Sequence, residues 1–178
     1  IIGTEGQVDL RPQAYDNFDI FLAGIHKFVL YKPKSVFTLS IPNLYRKYFN
    51  TEKVSERLRK TNTNAFINVI KNNPVDVITH LNFDCFADAV EVAKCAADYG
   101  TYIELNAKKI HLTDEEFYAV VKTGVNFVIS SDAHTPNRVG EISLVEKLLS
   151  RVDVPLDRIK NIDGRLPQMR FKAFKERA

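Results

Sequence analysis

Four short apolar runs, rich in β-branched and aromatic residues and separated by segments of helical periodicity, constrain this chain more than any other feature. The runs span residues 18–25, 75–79, 102–105 and 127–131 and read as buried strands. Between them, Val54, Leu58, Ala65, Val69 and Ile70 fit one or two helices over residues 51–72. Val90, Ala93, Ala96 and Ala97 mark another helix, stopped at Gly100. Thr113, Asp114, Glu115 and Glu116 form a capping box for a third, which ends near Gly124. A further helix is expected from Gly140 and Glu141 through Leu144, Leu148 and Leu149. After it come a short turn at Pro155 and a basic terminal helix within residues 166–177. Strand and helix in alternation predict parallel βαβ units in an α/β domain, with residues 1–178 as one unit.

Composition narrows the class. The chain has 178 residues, 45% hydrophobic and 26% charged, which excludes a disordered or low-complexity protein. No apolar run reaches the roughly 18 residues of a membrane-spanning helix, so no membrane partner is expected. Twenty-five basic against 22 acidic residues give +3, too balanced to argue for nucleic acid. Cys85 and Cys95 are ten apart and make no disulfide framework; free thiols in a reducing cytoplasm are the expectation. The opening Ile1, Ile2, Gly3 and Thr4 read as a strand entered midway, so the chain is expected to belong to a longer product. The least regular stretch, residues 27–50, carries Pro33, Pro42 and several aromatics and reads equally as a binding loop or as a surface excursion.

The chemistry gathers at the ends of the runs. Glu5 follows the opening segment 1–4, His26 the run 18–25, His80 the run 75–79, and Asp132 and His134 the run 127–131. In parallel α/β folds the C-terminal strand ends share one rim, where active sites collect. A single histidine after a strand more often satisfies a hydrogen bond, but the pattern repeats at four separate ends. Three imidazoles and two carboxylates form a nitrogen and oxygen set suited to zinc, manganese or iron. Glu104 lies within a strand and reads as a supporting residue or as a salt-bridge partner of Lys108; His111 reads as a loop or cap residue. Arg138 is placed to reach a phosphate or to stand solvated. Asp76 and Asp19 read as strand-start or turn residues, and Asp84 and Asp88 as helix caps. No Walker A loop, Gly-x-Gly-x-x-Gly or Gly-x-Ser-x-Gly is present.

In this order, Gly3-Thr4-Glu5, Ala23-Gly24-Ile25-His26, Ile78-Thr79-His80, Ile103-Glu104-Leu105-Asn106 and Ser131-Asp132-Ala133-His134 resemble the successive motifs of the PHP (polymerase and histidinol phosphatase) superfamily. Thr61-Asn62-Thr63 resembles its phosphoesterase branch. The resemblance implies the C-terminal part of a distorted (β/α)7 barrel with two or three divalent metal ions at the rim. It implies Glu5 bridging two metals, His26 and His80 sharing one of them, and Asp132 and His134 binding the others, with these last two as catalytic candidates. Further ligands are implied from an early His-x-His pair, and no such pair precedes Glu5. About sixty to seventy upstream residues would carry the missing βα units. The implied activity is a metal-dependent phosphatase acting on a small phosphate ester through an activated water. An exonuclease module associated with a DNA polymerase, and a metal-free structural or regulatory domain, are the alternatives.

Overall fold

The structure is a computed structural model that describes residues 3–26, 35–48 and 56–177. Its sheet has four parallel strands in sequence order: β1 (Leu22–Ala23), β2 (Val77–Ile78), β3 (Tyr102–Asn106) and β4 (Phe127–Ser130). The register pairs Leu22 with Val77, Val77 with Tyr102, and Ile103 with Phe127. A single parallel bridge from Phe127 to Ile159 extends the β4 edge. Helices α1 (Ile41–Tyr48) and α2 (Glu56–Asn72) connect β1 to β2; α3 (Ala89–Tyr99) connects β2 to β3, and α4 (Asp114–Val121) connects β3 to β4. Helices α5 (Ser143–Leu149) and α6 (Arg170–Lys175) follow β4. The expected βαβ alternation is present, and no helix among the described residues is long and apolar enough to cross a membrane.

Local chemistry sets the boundaries. Asp88 caps α3 by accepting from the amides of Val90 and Glu91, each at 3.1 Å, and Gly100 closes it at φ 70°. Thr113 and Glu116 form the reciprocal box that starts α4. Asp84 caps no helix; it stands in the 80–84 loop at φ 54°. The first run is shorter as a strand than its apolar length predicts. Only two of its residues pair, and Phe18, Ile20 and Leu22 are each about half exposed. Gly3 and Thr4 do not form a strand either. Gly3 donates to the carbonyl of Gln7 and accepts from the amide of Gly6, which makes a tight turn. The stretch 27–50 is more regular than expected: a π turn at Val36–Ser40 runs into α1, while residues 27–34 and 49–50 lie outside the described residues.

One face of the sheet carries the main core. Ile78, Ile103, Leu105 and Phe127 pack there with Phe66, Val69 and Ile70 of α2, Val92 and Ala96 of α3, Val120 of α4 and Leu148 of α5. The period-two alternation of strands sends Tyr102, Glu104 and Asn106 to the opposite face. There Val77, Tyr102 and Val128 form a small second cluster with Met169. Two polar staples tie the layers. Asn43 and Asn62 exchange amide hydrogen bonds at 2.8 and 3.0 Å, and Asn62 also donates to the carbonyl of Phe86. Its neighbour Thr63 accepts from the amide of Asp88 at 2.7 Å. The Thr61-Asn62-Thr63 motif is thus a structural joint between α1, α2 and the start of α3. The second staple is Asp76, fully buried before β2, whose two carboxylate oxygens accept from the amides of Phe21 at 2.7 Å and Phe171 at 2.8 Å.

Candidate functional site

Because the four strands are parallel, their C-terminal ends face one way. A pocket of about 240 Å³ opens there, lined by His26, His80, Phe83, Lys108, Lys109, His111, Asp132 and His134. Four of the five sequence candidates meet in it. The fifth, Glu5, does not line it; its exposed carboxylate accepts from Nε2 of Gln7 at 2.8 Å in the 3–7 turn. Arg138 is exposed in a 3₁₀ turn and lies outside the pocket lining.

Each pocket side chain has a local reason for its place. His26 and His80 stand edge to face with ring centroids 4.7 Å apart. Gly24 makes this approach possible, because a Cβ there would meet Thr79 Oγ1 and lie 2.8 Å from His80 Cε1. His80 and Asp132 both take left-handed backbone, at φ 33° and 45°. Such conformations are uncommon outside glycine and collect where a side chain must be aimed against backbone preference. Glu104, buried on the sheet face opposite the main core, accepts the amide of His80 at 2.5 Å and Nδ2 of Asn106 at 3.1 Å. It supports His80 in this way and makes no ion pair with Lys108, the alternative left open by the sequence. Oδ1 of Asn106 in turn accepts from the amides of Lys108 and Lys109 at 2.9 and 3.0 Å. This side-chain turn ends β3 and carries both lysines to the pocket. At the end of β4, Ser130 Oγ accepts the amide of Asp132 at 3.2 Å. The ring of His134 places Nδ1 2.8 Å from the carbonyl of Asp132. That contact assigns the proton to Nδ1 and leaves the Nε2 lone pair free to accept. Lys108 Nζ lies 3.1 Å from both ring nitrogens of His134 and 4.0 Å from Asp132 Oδ2.

Burial favours the neutral form of His26, His80 and His111. His26 and His80 titrate below the ordinary imidazole range, chiefly through desolvation; for His26 the neighbouring ring of His80 adds to the effect. Desolvation, with Lys109 and His80 nearby, pushes His111 down to about 4. Neutral imidazoles are the form that binds metals. The donor chemistry of His26, His80, His134 and Asp132 therefore fits a divalent cation. Among the described residues, however, no three His, Cys, Asp or Glu side chains are close enough to hold an ion as they stand. Sequence reasoning missed His111 and Lys108 as pocket residues. The readable signal was Asn106, a turn-forming side chain at the end of a strand and two residues before a lysine.

The lowered histidines give a pH prediction. A base whose folded pKa is depressed stabilises the fold above its unfolded pKa, and that contribution is lost as pH falls through the folded value. The urea midpoint should therefore decline between about pH 6.5 and pH 4, and His111→Gln should flatten the decline. An unchanged slope in the variant would remove His111 from the account.

No family model matches the chain. Similar curated proteins carry one kind of name. A probable phosphatase of Vibrio parahaemolyticus is 27% identical over 171 residues, covering 89% of this chain and 58% of that protein. The probable phosphatase YcdX of Escherichia fergusonii is 29% identical over 171 residues, covering 91% and 60%. A probable phosphatase of Aliivibrio fischeri is 36% identical over 109 residues, covering 54% and 43%. The chain spans a little under three fifths of the length of the first relatives it matches.

Proposed function

We propose that this chain is the larger part of a metal-dependent phosphoesterase of the PHP type, acting on a small phosphate ester. The observation that carries the reading is the meeting of His26, His80, Asp132 and His134 from separate strand ends in one pocket, two of them on left-handed backbone. The names of the similar proteins point to the same chemistry. In this reading the four-stranded parallel sheet is a section of a (β/α)7 barrel, and Glu5 joins the ligand set in the complete site. Cys85 and Cys95 are both buried, which accords with a reducing cytoplasm.

When bound, divalent zinc, manganese or iron would supply an activated water and neutralise charge during in-line attack on phosphorus. His26, His80 and His134 would offer nitrogen donors, and Asp132 an anionic oxygen. Glu104 holds the amide of His80 and so fixes the direction in which that ring enters the pocket. Phe83, 5.0 Å from His80 and 5.1 Å from His111 between ring centroids, walls one side of the pocket with apolar surface and limits water there.

The test is hydrolysis of p-nitrophenyl phosphate by the purified protein with added manganese, together with metal analysis of the protein as isolated. Activity should disappear with a chelator and return with manganese. His80→Ala should lower both metal content and hydrolysis by about a hundredfold or more. Full activity in that variant would reject the site.

A further inference from the structure

The pocket contains a cation that the ligand pattern does not use. Lys108 Nζ lies 3.1 Å from both ring nitrogens of His134, and Asp132 is the nearest carboxylate. The position is built by the chain: the 106–109 side-chain turn holds the two lysine amides on Asn106, and Asn106 is itself tied to Glu104. Leaving the histidines aside, the pocket lining carries two lysines and one aspartate, a surplus of positive charge before any metal is considered. If a divalent cation engages His134 and Asp132, Lys108 loses both of its present partners and faces a like charge. Cations so close coexist stably when an anion lies between them. The anion that bridges a lysine ammonium and a metal site is an oxyanion with several accepting oxygens.

We propose that Lys108 anchors the phosphoryl group of the substrate, gripping a non-bridging oxygen from the β3 side of the pocket. This deepens the phosphoesterase reading and rests on it for the identity of the anion, but it makes a separate claim about one side chain. Lys108 is about half exposed, so its replacement should leave the fold intact.

Calorimetric titration of inorganic phosphate into the protein, with and without manganese, tests the claim. Lys108→Met should weaken phosphate binding about ten- to hundredfold, the usual effect of losing a charged hydrogen-bond donor. Lys108→Arg should keep it within a few fold of wild type. Manganese affinity without phosphate should hold or rise in the Met variant, because a competing cation has gone. Wild-type phosphate affinity in Lys108→Met would overturn the proposal. So would parallel loss of manganese and phosphate binding, or a wild-type protein that binds no phosphate in either condition. Phosphate binding that depends on Lys108 in a protein that takes up no manganese would sustain the anchor and overturn the metal reading instead.

Discussion

In the proposed phosphoesterase, Asp132→Gly should remove hydrolysis while leaving the protein as stable as before or slightly more so. The two effects have different origins. The carboxylate is the anionic member of the pocket's donor set, beside His134 and Lys108, and its loss should reduce turnover by about three orders of magnitude or more. The backbone, at φ 45°, holds a residue with a Cβ in left-handed space. Glycine takes that conformation freely, which should return about 0.5–1 kcal/mol. The contacts given up, 3.7 Å to His134 and 4.0 Å to Lys108, are exposed and loose, and offset only a fraction of this gain. Asp132→Asn separates the contributions, since asparagine tolerates left-handed backbone and keeps the shape but lacks the charge. It should match wild type in melting temperature and match the glycine variant in lost activity. A glycine variant that melts several degrees below wild type would show that the left-handed turn is held by the side chain and not strained against it.

This trade between order and function explains which parts of the molecule could be read from the sequence. Elements built from local chemistry were legible: the Asp88 cap, the Thr113 box and the Gly100 stop each act within four residues of themselves. The pairing of apolar runs into a parallel sheet was legible because buried strands need side chains apolar on both faces. The length of β1 was not. An apolar run shows that a segment avoids water, but pairing depends on a neighbour, and Phe18 and Ile20 lie before the point where β2 begins. Of the site, the strand-end rule found His26, His80, Asp132 and His134. The same rule named Glu5, whose carboxylate lies on Gln7 in the 3–7 turn, outside the pocket lining. It passed over His111 and Lys108, which reach the pocket by a turn after β3, a path set by the Asn106 side chain and invisible to hydrophobic periodicity. Left-handed φ at His80 was equally unreadable, because histidine carries no compositional mark of that conformation.

The largest stability effect should fall on a residue that the sequence reading left as a strand-start or turn aspartate. Asp76 is fully buried and joins two segments 55 and 95 residues away from it in sequence: one oxygen accepts from Phe21 before β1, the other from Phe171 in α6. Burial holds its pKa above the ordinary carboxylate range, while the two amides and Arg170 pull the other way. Asp76→Ala leaves two buried N–H groups without acceptors, at about 1–3 kcal/mol each. The total, about 3–5 kcal/mol, should lower the melting temperature by roughly 10 °C or more. Asp76→Asn is not a mild change, because its single oxygen serves one amide and its NH₂ group faces the other donor; about half the loss should remain. The pH dependence supplies the sign. A carboxylate with a raised folded pKa contributes stability below its unfolded value of 3.8, and that contribution is lost as pH rises through the folded pKa. Asp76→Asn should therefore lose less stability at pH 7 than at pH 4, since the wild type alone bears the cost of burying charge at the higher pH. Urea melts of both variants at the two pH values decide it, and an alanine variant within 1 kcal/mol of wild type would show that α6 docks without this staple.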